Sequence, residues 1–234
     1  MSGTIFGLGV GPGDPELVTL KALRIAQAVP VLAYPAPESG ESLARRIMAP
    51  HLQGSRIEIA VRMPIGGDRF PVNAVYDEAA EAIAAHAIAG RDVAILCLGD
   101  PFFYGSFMYL FARLAERARV EIVPGVTSVS AASAALGFPI ASRQDVFSII
   151  PALLDDATIA KRLAECDSAA ILKLGRHFGR VRALLDRLGL AADARYVERA
   201  SFADERIVKL AEVDAAQAPY FSLILIHRRG AAWR

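Results

Sequence analysis

Cysteine is nearly absent from this chain: its 234 residues carry two, Cys97 and Cys166. Two thiols so far apart exclude a disulfide framework and suit a reducing compartment. An excess of either charge is lacking as well. The formal net charge of +1 excludes capture of nucleic acid by a bulk field, so any anionic ligand must be held by local arginines. A basic tract interleaved with aromatics, the mark of RNA binding, is missing too. No apolar run reaches the roughly 20 residues that span a bilayer, and the amino terminus has no basic-then-apolar signal pattern. Hydrophobic residues make up 54% of the chain, which excludes disorder. A soluble cytoplasmic protein of one large or two small domains is expected, with no nucleic-acid or membrane partner.

Several common motifs fail when tested. No His, Cys and Asp cluster has zinc-like spacing, so no metal is expected. The glycines near the amino terminus invite a dinucleotide-binding reading, but G-x-G-x-x-G does not fit. Counted from Gly7 the last position is Pro12, and counted from Gly9 it is Asp14. Pro12 also removes an N–H that a pyrophosphate would need. A Lys-Ser/Thr phosphate loop is absent.

What is present centres on Leu98-Gly99-Asp100-Pro101-Phe102-Phe103-Tyr104-Gly105. An apolar run, Val93 to Leu98, precedes it with the composition of a buried strand. Phe107, Leu110, Phe111 and Leu114 follow at helical spacing, predicting a helix over 106–118. In open α/β sheets such a strand-to-helix turn is where ligands bind. Asp100 and Pro101 also read as a helix start, yet capping needs none of the three aromatics.

The same grammar appears at the amino terminus, where strand 4–10 leads through Gly11-Pro12-Gly13-Asp14-Pro15 into a helix over 17–28 capped by Asp14. Strands over 31–34 and 56–62 and helices over 41–48 and 72–89 continue the alternation. It predicts a mostly parallel sheet covered on both faces. The Gly- and Pro-rich segment 63–72, with Asp68 and Arg69, reads as a connection or a substrate lid. Past Val120 the pattern changes: a small-residue helix over 129–136 follows Pro124-Gly125-Val126-Thr127-Ser128, and the chain ends in close-set strands. Two α/β domains are expected, 1–119 and 120–234, with an interdomain ligand cleft.

Gly9-Val10-Gly11-Pro12-Gly13-Asp14, Gly99-Asp100-Pro101 and Val123-Pro124-Gly125-Val126-Thr127-Ser128 resemble, in order and spacing, the signatures of the tetrapyrrole methylases. These are the class III S-adenosylmethionine (SAM) methyltransferases. Tyr34-Pro35, Gly105 to Tyr109, Leu172 to Arg176 and Tyr220 to Ile224 resemble the branch that methylates precorrin-2 at C-20 in cobalamin biosynthesis. The resemblance implies a homodimer of two-domain subunits with SAM in the cleft, S-adenosyl-L-homocysteine as product and a small tetrapyrrole as substrate. It places Pro12, Leu98, Gly99, Asp100 and Phe103 around the donor, with Thr127, Ser128, Leu174 and Ala200 completing the site. Asp14, Tyr34, Arg62, Tyr104, Arg176 and Tyr220 are the substrate candidates. Arg45, Arg46, Arg69 and Arg199 are further cations for the substrate's carboxylates.

One departure matters. Uroporphyrinogen methylases carry an Asp, proposed as a base, where this chain has Pro35, and no Lys stands near Val61 or Arg62 where they have their proposed acid. That removes the obvious acid/base pair, favours the C-20 branch and leaves the catalytic residues unassigned. Residue types do not separate precorrin-2 from its cobalt-containing counterpart.

Overall fold

The computed structural model describes residues 2–63 and 73–228. Residues 64–72 of the segment read as a connection or a lid, including Asp68 and Arg69, lie outside the described residues. The chain divides into two compact units, Met1–Thr127 and Ser128–Arg234.

In the first unit, β1 (Ile5–Gly9), β2 (Val31–Pro37), β3 (Ile57–Met63), β4 (Val93–Cys97) and β5 (Val120–Val123) form one sheet in the order β3-β2-β4-β1-β5. Every pairing in it is parallel. Central β4 is buried along its length, as its unbroken apolar sequence requires. Helices α1 (Leu20–Ala28) and α2 (Leu43–Met48) pack on one face with Leu8, Leu32 and Leu96. Helices α3 (Asn73–Ile88) and α4 (Phe107–Leu114) cover the other with Ile5, Val93 and Ile95.

Three local expectations change. Asp14 caps a short 3-10 turn, Pro15–Leu17, while α1 starts three residues later on Thr19, whose hydroxyl accepts from Ala22 N at 3.2 Å. The strand starting at Val31 does not stop before Pro35 but runs on to Pro37, paired only with β3, because β4 pairs with β2 over Val31–Ala33 alone. Past that point no β4 neighbour requires an N–H, so proline fits. Ser42 closes that end: its hydroxyl donates to Pro35 O at 2.5 Å and accepts from Arg45 N at 3.2 Å at the start of α2. Ser42→Ala is expected to cost about 1 kcal/mol and to lower Tm by ~2–4 °C; an unshifted melt would show the cap to be idle.

The third concerns the boundary. β5, read from sequence as the start of the second domain, pairs with β1 from Ile5↔Val120 to Leu8↔Val123. The first unit therefore extends through Thr127 instead of ending at residue 119.

The second unit opens with α5 (Ser128–Leu136). Its sheet contains β6 (Phe147–Pro151), β7 (Ser168–Leu172), β8 (Ala194–Glu198), β9 (Arg206–Val208) and β10 (Ser222–His227), in the order β6-β7-β10-β8-β9. Only β6 and β7 are parallel, joined through α6 (Asp156–Ala164). β10 runs antiparallel to both neighbours, and β9 to β8. The short β8–β9 connection cannot be otherwise, since a parallel return needs a crossover of a dozen residues or more. α7 (Phe178–Arg187) packs its buried Phe178, Val181 and Leu185 into the core with Tyr196 and Ile224.

Candidate functional site

Connectivity selects the place in the first unit. The chain leaves β1 through α1 on one face of the sheet and leaves neighbouring β4 through α4 on the other. Adjacent strands whose connections depart to opposite faces leave a crevice at their carboxyl ends, the position where open α/β sheets take ligands. At its base the backbones beyond the two strands are joined: Val10 N donates to Cys97 O (2.9 Å), Gly99 N to Gly11 O (2.8 Å) and Gly11 N to Gly99 O (3.3 Å).

The β5 turn joins them through glycine. A Cβ on Gly9 would sit 2.5 Å from Gly125 N, and one on Gly125 would sit 2.1 Å from Gly99 O. Three turns thus touch backbone to backbone. By contrast, a Cβ on Gly99 would meet only Val126 O, at 3.9 Å. Gly99 at φ +68° therefore borders open space beside the crevice rather than a packed wall.

Asp100 fastens this arrangement. Its Oδ1 accepts from Phe102 N and its Oδ2 from Gly125 N, both at 2.9 Å. The expected helix start at Asp100-Pro101 is not formed; α4 begins at Phe107, and the carboxylate ties the β4 turn to the β5 turn instead. Phe103 lies edge-on to Tyr104, ring centroids 5.2 Å apart, and Tyr104 is exposed at φ +54°. Such a backbone is strained for a bulky residue, and strain of this kind gathers at functional sites. Pro12 is buried, Leu98 and Thr127 are half-buried, and Thr127 precedes the first residue of α5, Ser128.

The second unit brings its candidates to one edge of its own sheet. Leu174 is fully buried beyond β7, and a Cβ on the following Gly175 would lie 3.5 Å from Tyr220 Cα. Arg199 N, beyond β8, donates to Phe221 O at 2.7 Å. Leu174, Arg176, Ala200 and Tyr220 therefore share the rim formed by the carboxyl ends of β7 and β8 and the approach to β10. Four of the five described non-glycine residues with positive φ lie in the connections that follow β4, β7 or β8: Tyr104, Lys173, Arg199 and Ser201.

A chain that combines this glycine-joined switch point with the Gly-Asp-Pro turn matches the family model for Tetrapyrrole (Corrin/Porphyrin) Methylases over residues 4–214. It belongs to the tetrapyrrole methylase family. Among relatives of this tetrapyrrole methylase, the precorrin-2 C(20)-methyltransferase of Sinorhizobium sp is 38% identical over 96% of this chain and 95% of its own. The cobalamin biosynthesis protein CobIJ of Mycobacterium bovis is 45% identical over 96% of this chain, which spans only 46% of that protein. A solved structure of Thermus thermophilus uroporphyrin-III C-methyl transferase complexed with S-adenyl homocysteine is 26% identical, with TM-score 0.70, covering 95% and 97% of the two chains.

The other substrate candidates of the tetrapyrrole methylase lie on β2 and β3 and in the turns after β1 and β8. Tyr34 and Arg62 are on β2 and β3, and both are engaged. Tyr34 OH donates to Glu58 Oε2 at 2.6 Å, and Arg62 donates to the carbonyls of Pro37 (3.0 Å) and Glu38 (3.3 Å). Arg45 holds the same Glu58 through Nε and Nη2 at 2.9–3.2 Å. That hydrogen bonding to Arg45 lowers the Glu58 carboxyl, while burial and then Glu58 raise the Tyr34 phenol. Arg199 is paired with Asp204 at 2.8 Å, and Asp14 accepts from Glu16 N at 2.8 Å. Glu58 escaped the sequence reading, and Gly125 entered it only within the Val123 to Ser128 signature, with no packing role of its own. Only the terminal position of Gly125 after a strand hinted at its role. A cavity of about 960 Å³ flanked by Arg182, Arg195 and Lys209 opens at the amino end of β8, away from Ala200.

Proposed function

We propose that this tetrapyrrole methylase transfers the methyl group of SAM to C-20 of precorrin-2, giving precorrin-3A and S-adenosyl-L-homocysteine in corrin biosynthesis. The observation that carries the reading is the glycine-joined crevice at the β1–β4 switch point, in a chain alike over nearly its full length to a precorrin-2 C(20)-methyltransferase. The donor-binding residues in this reading are Pro12, Leu98, Gly99, Asp100, Phe103 and Thr127, with Ser128, Leu174 and Ala200 in the second unit. Open space beside Gly99 and the buried, apolar Leu174 and Ala200 suit a donor with one polar and one aromatic end.

SAM supplies an electrophilic methyl group on a sulfonium. The reduced ring supplies the nucleophile, because its pyrrole nitrogens push electrons into the meso carbon. As the carbon–methyl bond forms, the sulfur–methyl bond breaks, its electron pair stays on sulfur, and the meso carbon releases its proton to the medium. What remains for the protein is to align the two partners, worth up to about 7–11 kcal/mol in favourable cases. Asp14, Tyr34, Arg62, Tyr104, Arg176 and Tyr220 are the residues we assign to the ring, the two arginines to its carboxylates. The acting form in this reading is a homodimer in the cytoplasm.

Incubation with SAM and either precorrin-2 or its cobalt form, followed by mass spectrometry and NMR of the product, tests the assignment. One added methyl at C-20, formed faster on the metal-free ring, is the expected result. Methylation at another carbon, or none on either ring, overturns it. Faster turnover of the cobalt form moves the substrate to the metal-containing series.

A further inference from the structure

Strand β8 turns Ala194, Tyr196 and Glu198 to the same side as the core, in the alternation a pleated strand imposes. The first two satisfy it. Glu198 is a carboxylate that is only 6% exposed at the last position of the strand, where an apolar side chain would be the less costly choice. It is held by its neighbours. Tyr196 OH donates to its Oε1 at 3.0 Å, and Arg206, its register partner on β9, approaches Oε2 at 3.6 Å.

On the other side Glu198 is in register with Ser222 of β10. The Ser222 hydroxyl stands beside the Tyr196 phenol and commits its one proton to Pro219 O at 2.6 Å. Burial, with the Glu198 charge adding to it, pushes that phenol well up, so it keeps its proton and remains a donor. Two segments hang from this network. One is Arg199-Ala200-Ser201, strained at φ +47° and +70° on either side of Ala200. The other is 219–221, tied to the first by Arg199 N donating to Phe221 O.

We propose that Glu198 is a positioning residue for the methyl donor: through its bond from Tyr196 and its place in register with Ser222 it sets the backbone that carries Ala200 and Tyr220. The inference rests on the placement of Ala200 at the donor. It deepens that reading by assigning a role to a group that touches neither reactant.

The test separates stability from positioning at residue 198. Glu198→Leu fills the buried space with apolar volume but leaves the Tyr196 hydroxyl without its acceptor, so the protein is expected to fold with a Tm lower by a few degrees. Its affinity for S-adenosyl-L-homocysteine, measured by calorimetry, is expected to fall about tenfold. The KM for SAM should rise while kcat changes little. Glu198→Gln, which still accepts from Tyr196, is expected to restore most of the affinity. Wild-type affinity in folded Glu198→Leu overturns the proposal, as does a Gln variant as impaired as the Leu one. Should the Leu variant not fold, Tyr196→Phe removes the same link while keeping the ring on Phe178, and unchanged affinity there is equally fatal. Ala200→Phe separates the two levels of the argument. If it abolishes product binding while Glu198→Leu does not, only the role of Glu198 falls; if it changes nothing, the placement of the donor falls and the proposal with it.

Discussion

Gly125→Ala is expected to destabilise the protein by about 3 kcal/mol, lowering Tm by ~6–12 °C, and to abolish measurable donor binding. The added methyl would stand 2.1 Å from Gly99 O, 2.8 Å from Gly9 Cα and 2.9 Å from Gly9 C. All three are backbone atoms of neighbouring turns, so no flexible side chain can yield. Relief requires the β5 turn to move away from β1 and β4, which also breaks the bond from Gly125 N to Asp100. Gly137 provides the comparison. It has φ +55° and nothing within 4 Å of a Cβ, so alanine there costs only the left-handed backbone, about 1 kcal/mol. Thermal melts with product titrations on both variants measure the difference, and a Gly125→Ala protein as stable as Gly137→Ala would refute the backbone junction.

Asp100→Ala is the second large effect. It leaves the N–H groups of Phe102 and Gly125 without their carboxylate. Charge-assisted bonds contribute about 1.5–3 kcal/mol each, and at this half-buried position water recovers part of that. A loss of about 2–3 kcal/mol is expected, with donor affinity down at least tenfold as the Gly99 turn loosens. Asp100→Asn should fall between, since its one carbonyl oxygen can accept from one of the two donors while its NH2 faces the other. An Asp100→Ala protein with unchanged Tm but lost affinity would instead mean that the carboxylate meets the donor's ammonium group directly.

Much of this was legible along the chain because it depends on neighbours in sequence. Val93 to Cys97 could hardly be anything but a buried parallel strand, and regular alternation up to Cys97 announced a doubly covered sheet. The change of style after Val120, with close-set strands ending the chain, announced a second sheet, though not its antiparallel pairing. The ordered Gly-rich turns announced the family. The failures are as local as the successes. Asp100-Pro101 and Asp14-Pro15 each carry the grammar of a cap. Asp14 caps a 3-10 turn only, and Asp100 finds a donor 25 residues away that no window around it contains.

By itself, then, the sequence determined the strands, their crossover helices, the parallel character of the first sheet and the turns in which a ligand site could lie. These follow from side-chain period and from chain length between elements. Only the tertiary structure decided that β5 closes the first sheet, that Gly9 and Gly125 meet the neighbouring turns without room for a methyl, and that Glu198 is buried beside Ser222 of β10. Each of those is a contact between residues remote along the chain. Its energy depends on distances of a few tenths of an ångström, to which pattern and composition are blind.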